Sequence, residues 1–119
     1  MKINLTEVIK NLEDKPMVDG TDRKTVITPR MVLSRGIMTD LKDDVLEPEN
    51  KVIRFNFAER IIMSKEDVIT ISGKEANEVM KRLNFSLFNS VVYVRMKRII
   101  DSAKKAEENS KNKDEKDKN

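Results

Sequence analysis

The side chains that spacing brings closest to a chemical site are four carboxylates, Asp40, Asp43, Asp44 and Glu47, within one short stretch. Such oxygen donors suit hard cations like Mg²⁺ and Ca²⁺. The run lacks the alternating D-x-D-x-D-G order of a calcium loop, and no acid-x-Lys pair follows a strand as a two-metal nuclease would need. It is expected to be an acidic, solvated loop. Ser72-Gly73-Lys74 carries the Gly-Lys of a phosphate loop without the glycine-rich run that must precede it, so it predicts a helix start and not a nucleotide site. No histidine and no cysteine occurs in the 119 residues. That removes the side chain that titrates near neutrality and the soft, nucleophilic thiolate, and with them zinc sites, Ser-His-Asp triads and Cys-His dyads. Carboxylate, lysine, hydroxyl and the single Tyr93 remain, and they show no catalytic signature. The expectation is a protein that is not an enzyme and needs no metal or cofactor.

Charge is the second signal. Between Glu78 and Asp101 the chain holds no acid, while Lys81, Arg82, Arg95, Lys97 and Arg98 fall there, interleaved with Phe85, Phe88 and Tyr93. Cations mixed with aromatics are the pattern of a single-stranded nucleic-acid surface. The same residues also fit a structural role. Cations near helix C-termini complement the macrodipole, and arginine stems lie along apolar surface. A formal net charge of only +3 is mild for a nucleic-acid-binding domain.

The elements that would position these residues are legible in part. Leu5, Val8, Ile9 and Leu12 follow a helical spacing, yet Leu12-Glu13-Asp14-Lys15-Pro16 and Val18-Asp19-Gly20-Thr21-Asp22 are turn signals and Thr25-Val26-Ile27 is β-branched. These predict a short strand, a helical turn or second extended piece, and a return strand. Thr28 before Pro29 starts a helix carrying Met31, Val32, Leu33 and Ile37. Pro48-Glu49 opens another, with Ile53, Phe57 and Ile61 predicted inside and Arg54, Glu59 and Arg60 on the wet side. Asp67 to Ile71 is extended. Ser72 and Glu75 form a capping box ahead of Ala76, Val79, Met80 and Leu83.

Leu87 to Ile100 is apolar nearly all round. Its length favours a helix, while the alternation of Val92, Val94 and Met96 against Tyr93, Arg95 and Lys97 leaves a strand open. Such an element is buried on most sides or packed against another chain. From Lys105 to Asn119 the chain has no apolar residue beyond Ala106, with five lysines balanced by five acids, which predicts a disordered, solvated tail.

The order of these signals resembles small uncharacterised proteins of tailed bacteriophages and prophages. The likeness is carried by Ile3-Asn4-Leu5 through Lys15-Pro16, Val26-x-Thr28 before Met31-Val32-Leu33, Arg54-Phe55-x-x-Ala58-x-x-Ile61, and Ile69-x-Ile71-Ser72. It covers residues 2–100, with Glu13-Asp14 where an Asp-Gly turn would stand and an added tail. It implies a phage origin in the bacterial host cytosol and brings no catalytic residues.

The expected architecture is α+β and mostly helical: a short N-terminal β element, three or four packed helices in residues 1–104, and a disordered charged tail over 105–119. The expected function is protein–protein binding or self-association through Leu87, Val91, Val94 and Ile99. The alternative is a nucleic-acid-binding accessory protein using Lys81, Arg82, Arg95, Lys97 and Arg98. No apolar run is long enough to span a bilayer, so a cytoplasmic protein without a membrane partner is expected.

Overall fold

The first strand pairs across most of the chain and not with its neighbour in sequence. In the computed structural model, which describes residues 1–42, 44 and 48–117 with side chains as far as Ser110, strand β1 (Lys2–Asn4) runs antiparallel to β2 (Val68–Thr70), with Ile3 opposite Ile69. Ile3 points into the core while Lys2 and Asn4 face out, the period-two pattern of a half-buried strand.

The segment between β1 and the first helix is extended, and the helical spacing of Leu5, Val8, Ile9 and Leu12 is not used; Leu12 is 84% exposed. A ring of three backbone hydrogen bonds replaces a helix. Ile9 N donates to Ile27 O, Ile27 N to Met17 O and Met17 N to Ile9 O, at 2.8–2.9 Å. The return piece therefore closes on residues 16–18, with Val18 and Val26 as bridge partners. Both turns form at the predicted positions. The Asn11 side-chain oxygen accepts from the N–H groups of Glu13 and Lys15, and Asp14 takes a left-handed φ of 64°, which a short polar side chain tolerates. In the second turn the Asp22 carboxylate accepts from the Thr25 hydroxyl and from the N–H groups of Lys24 and Thr25; these bonds pull its pKa down to about 2.

Helix α1 (Pro29–Ile37) begins at the Thr28 N-cap with Pro29 in its first turn, although the Thr28 hydroxyl makes no capping bond. It packs against α2 (Pro48–Met63), α3 (Gly73–Leu83) and α4 (Ser90–Asp117). Gly36 permits the α1–α3 approach, since a Cβ there would stand 3.3 Å from both Leu83 Cδ1 and Val79 Cγ1. The start of α3 is the predicted capping box. Ser72 Oγ accepts from Glu75 N at 3.0 Å, and Glu75 Oε1 accepts from Ser72 N at 2.8 Å.

Helix α2 corrects the sequence reading. Its inner face is Arg54, Phe57, Ala58 and Ile61, while Ile53 is 68% exposed. The ambiguity over Leu87 to Ile100 resolves as helix from Ser90 onward, with Val92, Met96 and Ile100 buried at i, i+4 and i+8. Backbone of the 105–117 stretch continues α4, and side chains from Lys105 to Ser110 are exposed, as a charged extension should be. The core is aliphatic with Met1 and Met96 added, and Phe57 is its one buried aromatic among the described residues.

Candidate functional site

Asp44, from the carboxylate stretch, proves to be a packing residue. Asp43 and Glu47 lie outside the described residues. Asp44 is buried, which overturns the reading of a wholly solvated loop. Its two oxygens take Arg82 bidentately, with Arg82 Nη1 2.7 Å from Oδ2 and Nη2 2.8 Å from Oδ1, and Leu41 N donates to Oδ2 as well. Arg82 also donates through Nε to Glu78 at 2.8 Å and through Nη1 to Thr39 O at 2.8 Å. Arg54 Nη2 reaches Asp40 at 3.1 Å and Asp44 at 3.5 Å, and its Nη1 donates to Ile37 O at 3.1 Å. Both arginines are 1% exposed. Arg82 and Arg54 hold the Asp44 carboxyl well below the usual carboxylate range, the Arg82 hydrogen bonds being the largest cause.

The physical purpose of this network is plain. Helix α1 ends with carbonyls that have no intrahelical partner. Arginines from α2 and α3 supply donors to the Ile37 and Thr39 carbonyls, and their charge complements the negative end of α1. Arg30 does the same at the end of α2, donating to the Ile61 and Ser64 carbonyls at 2.8 Å each. Among the described residues, no group of three or more acids is arranged to hold a metal ion.

Arg82 is therefore withdrawn from the predicted nucleic-acid set, because its charge is satisfied inside the fold. The remaining four are spread out. Lys81 is exposed on α3. Lys97 pairs with Asp101 at 2.9 Å, a hydrogen bond that raises its pKa. Arg95 and Arg98 line one concavity of about 690 Å³ together with Lys2 and Lys10. Phe85 is exposed in the loop before α4, and Phe88 and Tyr93 are half-buried against the core, so no aromatic lines that concavity.

The predicted partner surface does not come together as one face either. Leu87 stands fully exposed in the α3–α4 loop and borders a depression with Phe88 and Val92. Ile99, half-buried, lines the cationic concavity instead. Val91 is half-buried and Val94 is 43% exposed. The reason is that α4 turns its continuous apolar stripe, Val92, Met96 and Ile100, to the core.

The unpartnered apolar face is on α2. Val52, Phe55, Ile62 and Met63 are all more than half exposed on the side opposite Arg54, Phe57, Ala58 and Ile61. Phe55, Ile62 and Met63 join Met38 of the α1 end around a depression of about 420 Å³ floored by Ser34 and Ala58. Sequence reasoning missed this face because α2 is apolar on two sides, and periodicity alone does not say which side meets the core. The one local signal was Phe55 and Ile62, seven residues apart and off the predicted inner stripe.

Compared with known proteins, the chain matches no family model, no curated protein and no solved structure. Among the described residues no helix is long and apolar enough to cross a membrane.

Proposed function

We propose that this is a small, non-enzymatic phage-type protein of the bacterial host cytosol that acts by binding protein, and that a second copy of itself is the partner. The observation that carries the reading is the outward face of α2. Val52, Phe55, Glu59 and Ile62 follow the 3-4-3 spacing of a seam between paired helices. Phe55 is 54% exposed and by itself offers about 100 Å², given the size of an aromatic side chain. With Val52, Ile62, Met63 and Met38 the face offers about 500 Å² per copy, so two copies bury about 1,000 Å², the size at which specific interfaces begin. Packed antiparallel about a two-fold axis, Val52 of each copy meets Ile62 of the other, and Phe55 meets the stem of Glu59. The two Glu59 carboxylates then lie near each other, which opposes pairing.

A weak, concentration-dependent dimer follows. Sedimentation equilibrium should show the mass rising from monomer toward dimer as concentration increases, with Phe55→Asp remaining monomeric and Glu59→Leu associating more tightly. Both positions are exposed, so the variants keep the fold, which circular dichroism checks. A Glu59→Leu variant that stays monomeric at every concentration overturns the reading.

A further inference from the structure

The concavity beside α4 gathers cations that the fold leaves without counterions. Lys2 comes from β1, Lys10 from the entrance to the first turn, and Arg95 and Arg98 from α4. Among the described residues Lys2, Arg95 and Arg98 have no carboxylate partner, and Lys10 has only a long contact of 3.9 Å to the exposed Asp14. Arg95 is held in place all the same: its Nε donates to Lys10 O at 3.2 Å and its Nη2 to Asn11 O at 2.9 Å. Carbonyls orient a guanidinium without neutralising it, so its full charge and its remaining donors stay free to act. Arg98 lies one turn further along the same side of α4, about 4.5 Å along the axis.

Elsewhere in the chain several cations are matched. Arg54, Arg82, Arg35, Arg60 and Lys97 each meet a carboxylate within 3.5 Å. Lys24, Lys65, Lys74 and Lys81 also lack a carboxylate partner among the described residues, so what distinguishes the hollow is convergence. Four cations from three segments line one concavity, and two backbone carbonyls hold Arg95 there, which suits an anion from outside. Glu7 and Asp14 also border the hollow and leave its lining with a net charge of +2. Four cations converging on a hollow of net charge +2 suit a ligand with several phosphates in a row, which the planar arginine forks can bind bidentately.

We propose that the Lys2, Lys10, Arg95 and Arg98 concavity binds the phosphate backbone of a nucleic acid. Because no aromatic lines it, the bases have no stacking platform there, and binding is independent of base sequence.

The test is fluorescence anisotropy of a labelled oligothymidylate and of the matching oligodeoxyadenylate, each titrated over a range of salt. Arg98→Glu and Lys2→Glu are the variants, because both side chains are exposed and hold nothing together; Lys81→Glu, a cation on another face, is the control. Both oligonucleotides should bind alike, with affinity falling as salt rises. Each concavity variant should weaken binding tenfold or more and reduce the salt slope by about 0.7 for each phosphate left unneutralised, with Lys81→Glu unchanged. A competition arm with pyrophosphate separates the sources of phosphate, and it should displace the oligonucleotide only at far higher concentration. Pyrophosphate binding as tightly as the oligonucleotide overturns the polymer assignment. Absence of salt-dependent binding, or equal loss in Lys81→Glu, overturns the site.

Discussion

Replacing Asp44 with alanine tests the idea that buried arginines hold three helices in register. The wild-type cluster sets two guanidiniums, Arg54 and Arg82, against the carboxylates of Asp44, Asp40 and Glu78. Without Asp44, Arg82 keeps Glu78 and the Thr39 carbonyl, while Arg54 keeps Asp40, which is largely exposed, and the Ile37 carbonyl. Removing one partner of a buried pair costs about 3–5 kcal/mol, because the other charge stays desolvated. The surviving partners put this variant at the lower end, about 3 kcal/mol. In a domain near 100 residues that is a fall of about 12–20 °C in Tm. The companion variant Arg82→Met should also be damaging, since it leaves Asp44 with only the Leu41 N–H and the 3.5 Å contact to Arg54, and takes a donor from the Thr39 carbonyl. The double variant should recover part of the loss, because neither the Asp44 carboxylate nor the Arg82 guanidinium is then left buried without its partner. Urea unfolding followed by far-UV circular dichroism measures all four stabilities. The pH dependence has a definite sign. Asp44 has a folded-state pKa below its ordinary 3.8, so its contribution is complete above that value and is lost as pH falls through the acid range toward the folded pKa. Wild type should therefore lose stability more steeply below about pH 4 than Asp44→Asn. An Asp44→Ala variant within about 0.5 kcal/mol of wild type, or single-variant costs that simply add in the double variant, would refute the argument.

Two further substitutions report on how the helices are started and spaced. Ser72→Ala removes the acceptor for Glu75 N and should cost about 0.5–2 kcal/mol in urea unfolding; unchanged stability would mean the capping box is not used. Gly36→Val places branched carbons where a bare Cβ already stands 3.3 Å from Leu83 and Val79, so a loss of about 1–3 kcal/mol is expected despite the gain in helix propensity, read as a lower Tm.

Local chemistry in the amino-acid sequence specifies much of this protein. Turns at Asn11 to Pro16 and at Asp19 to Thr25, the Pro29 and Pro48 helix starts, and the Ser72–Glu75 box each depend on a few neighbouring residues and a rigid or hydrogen-bonding side chain. The mostly helical α+β class with its short N-terminal strand followed from the same signals. Tertiary structure decided everything that depends on which surface meets which. Period-two and helical spacings coexist over Ile3 to Leu12, and only pairing with residues 16–18, 26–27 and 67–70 selects the extended form. Helix α2 is apolar on two sides, so its phase, with Arg54 inside and Ile53 outside, follows from α1's need for donors at its C-terminal carbonyls. Whether an arginine is a surface cation or a buried staple has no local signature. Arg82 and Arg98 look alike in the sequence, but the first meets Asp44 from 38 residues away and the second faces a hollow built with β1. Long-range pairing of charge with carbonyl and carboxylate is a property of the folded chain, and it separates the residues that hold this protein together from those left free to bind.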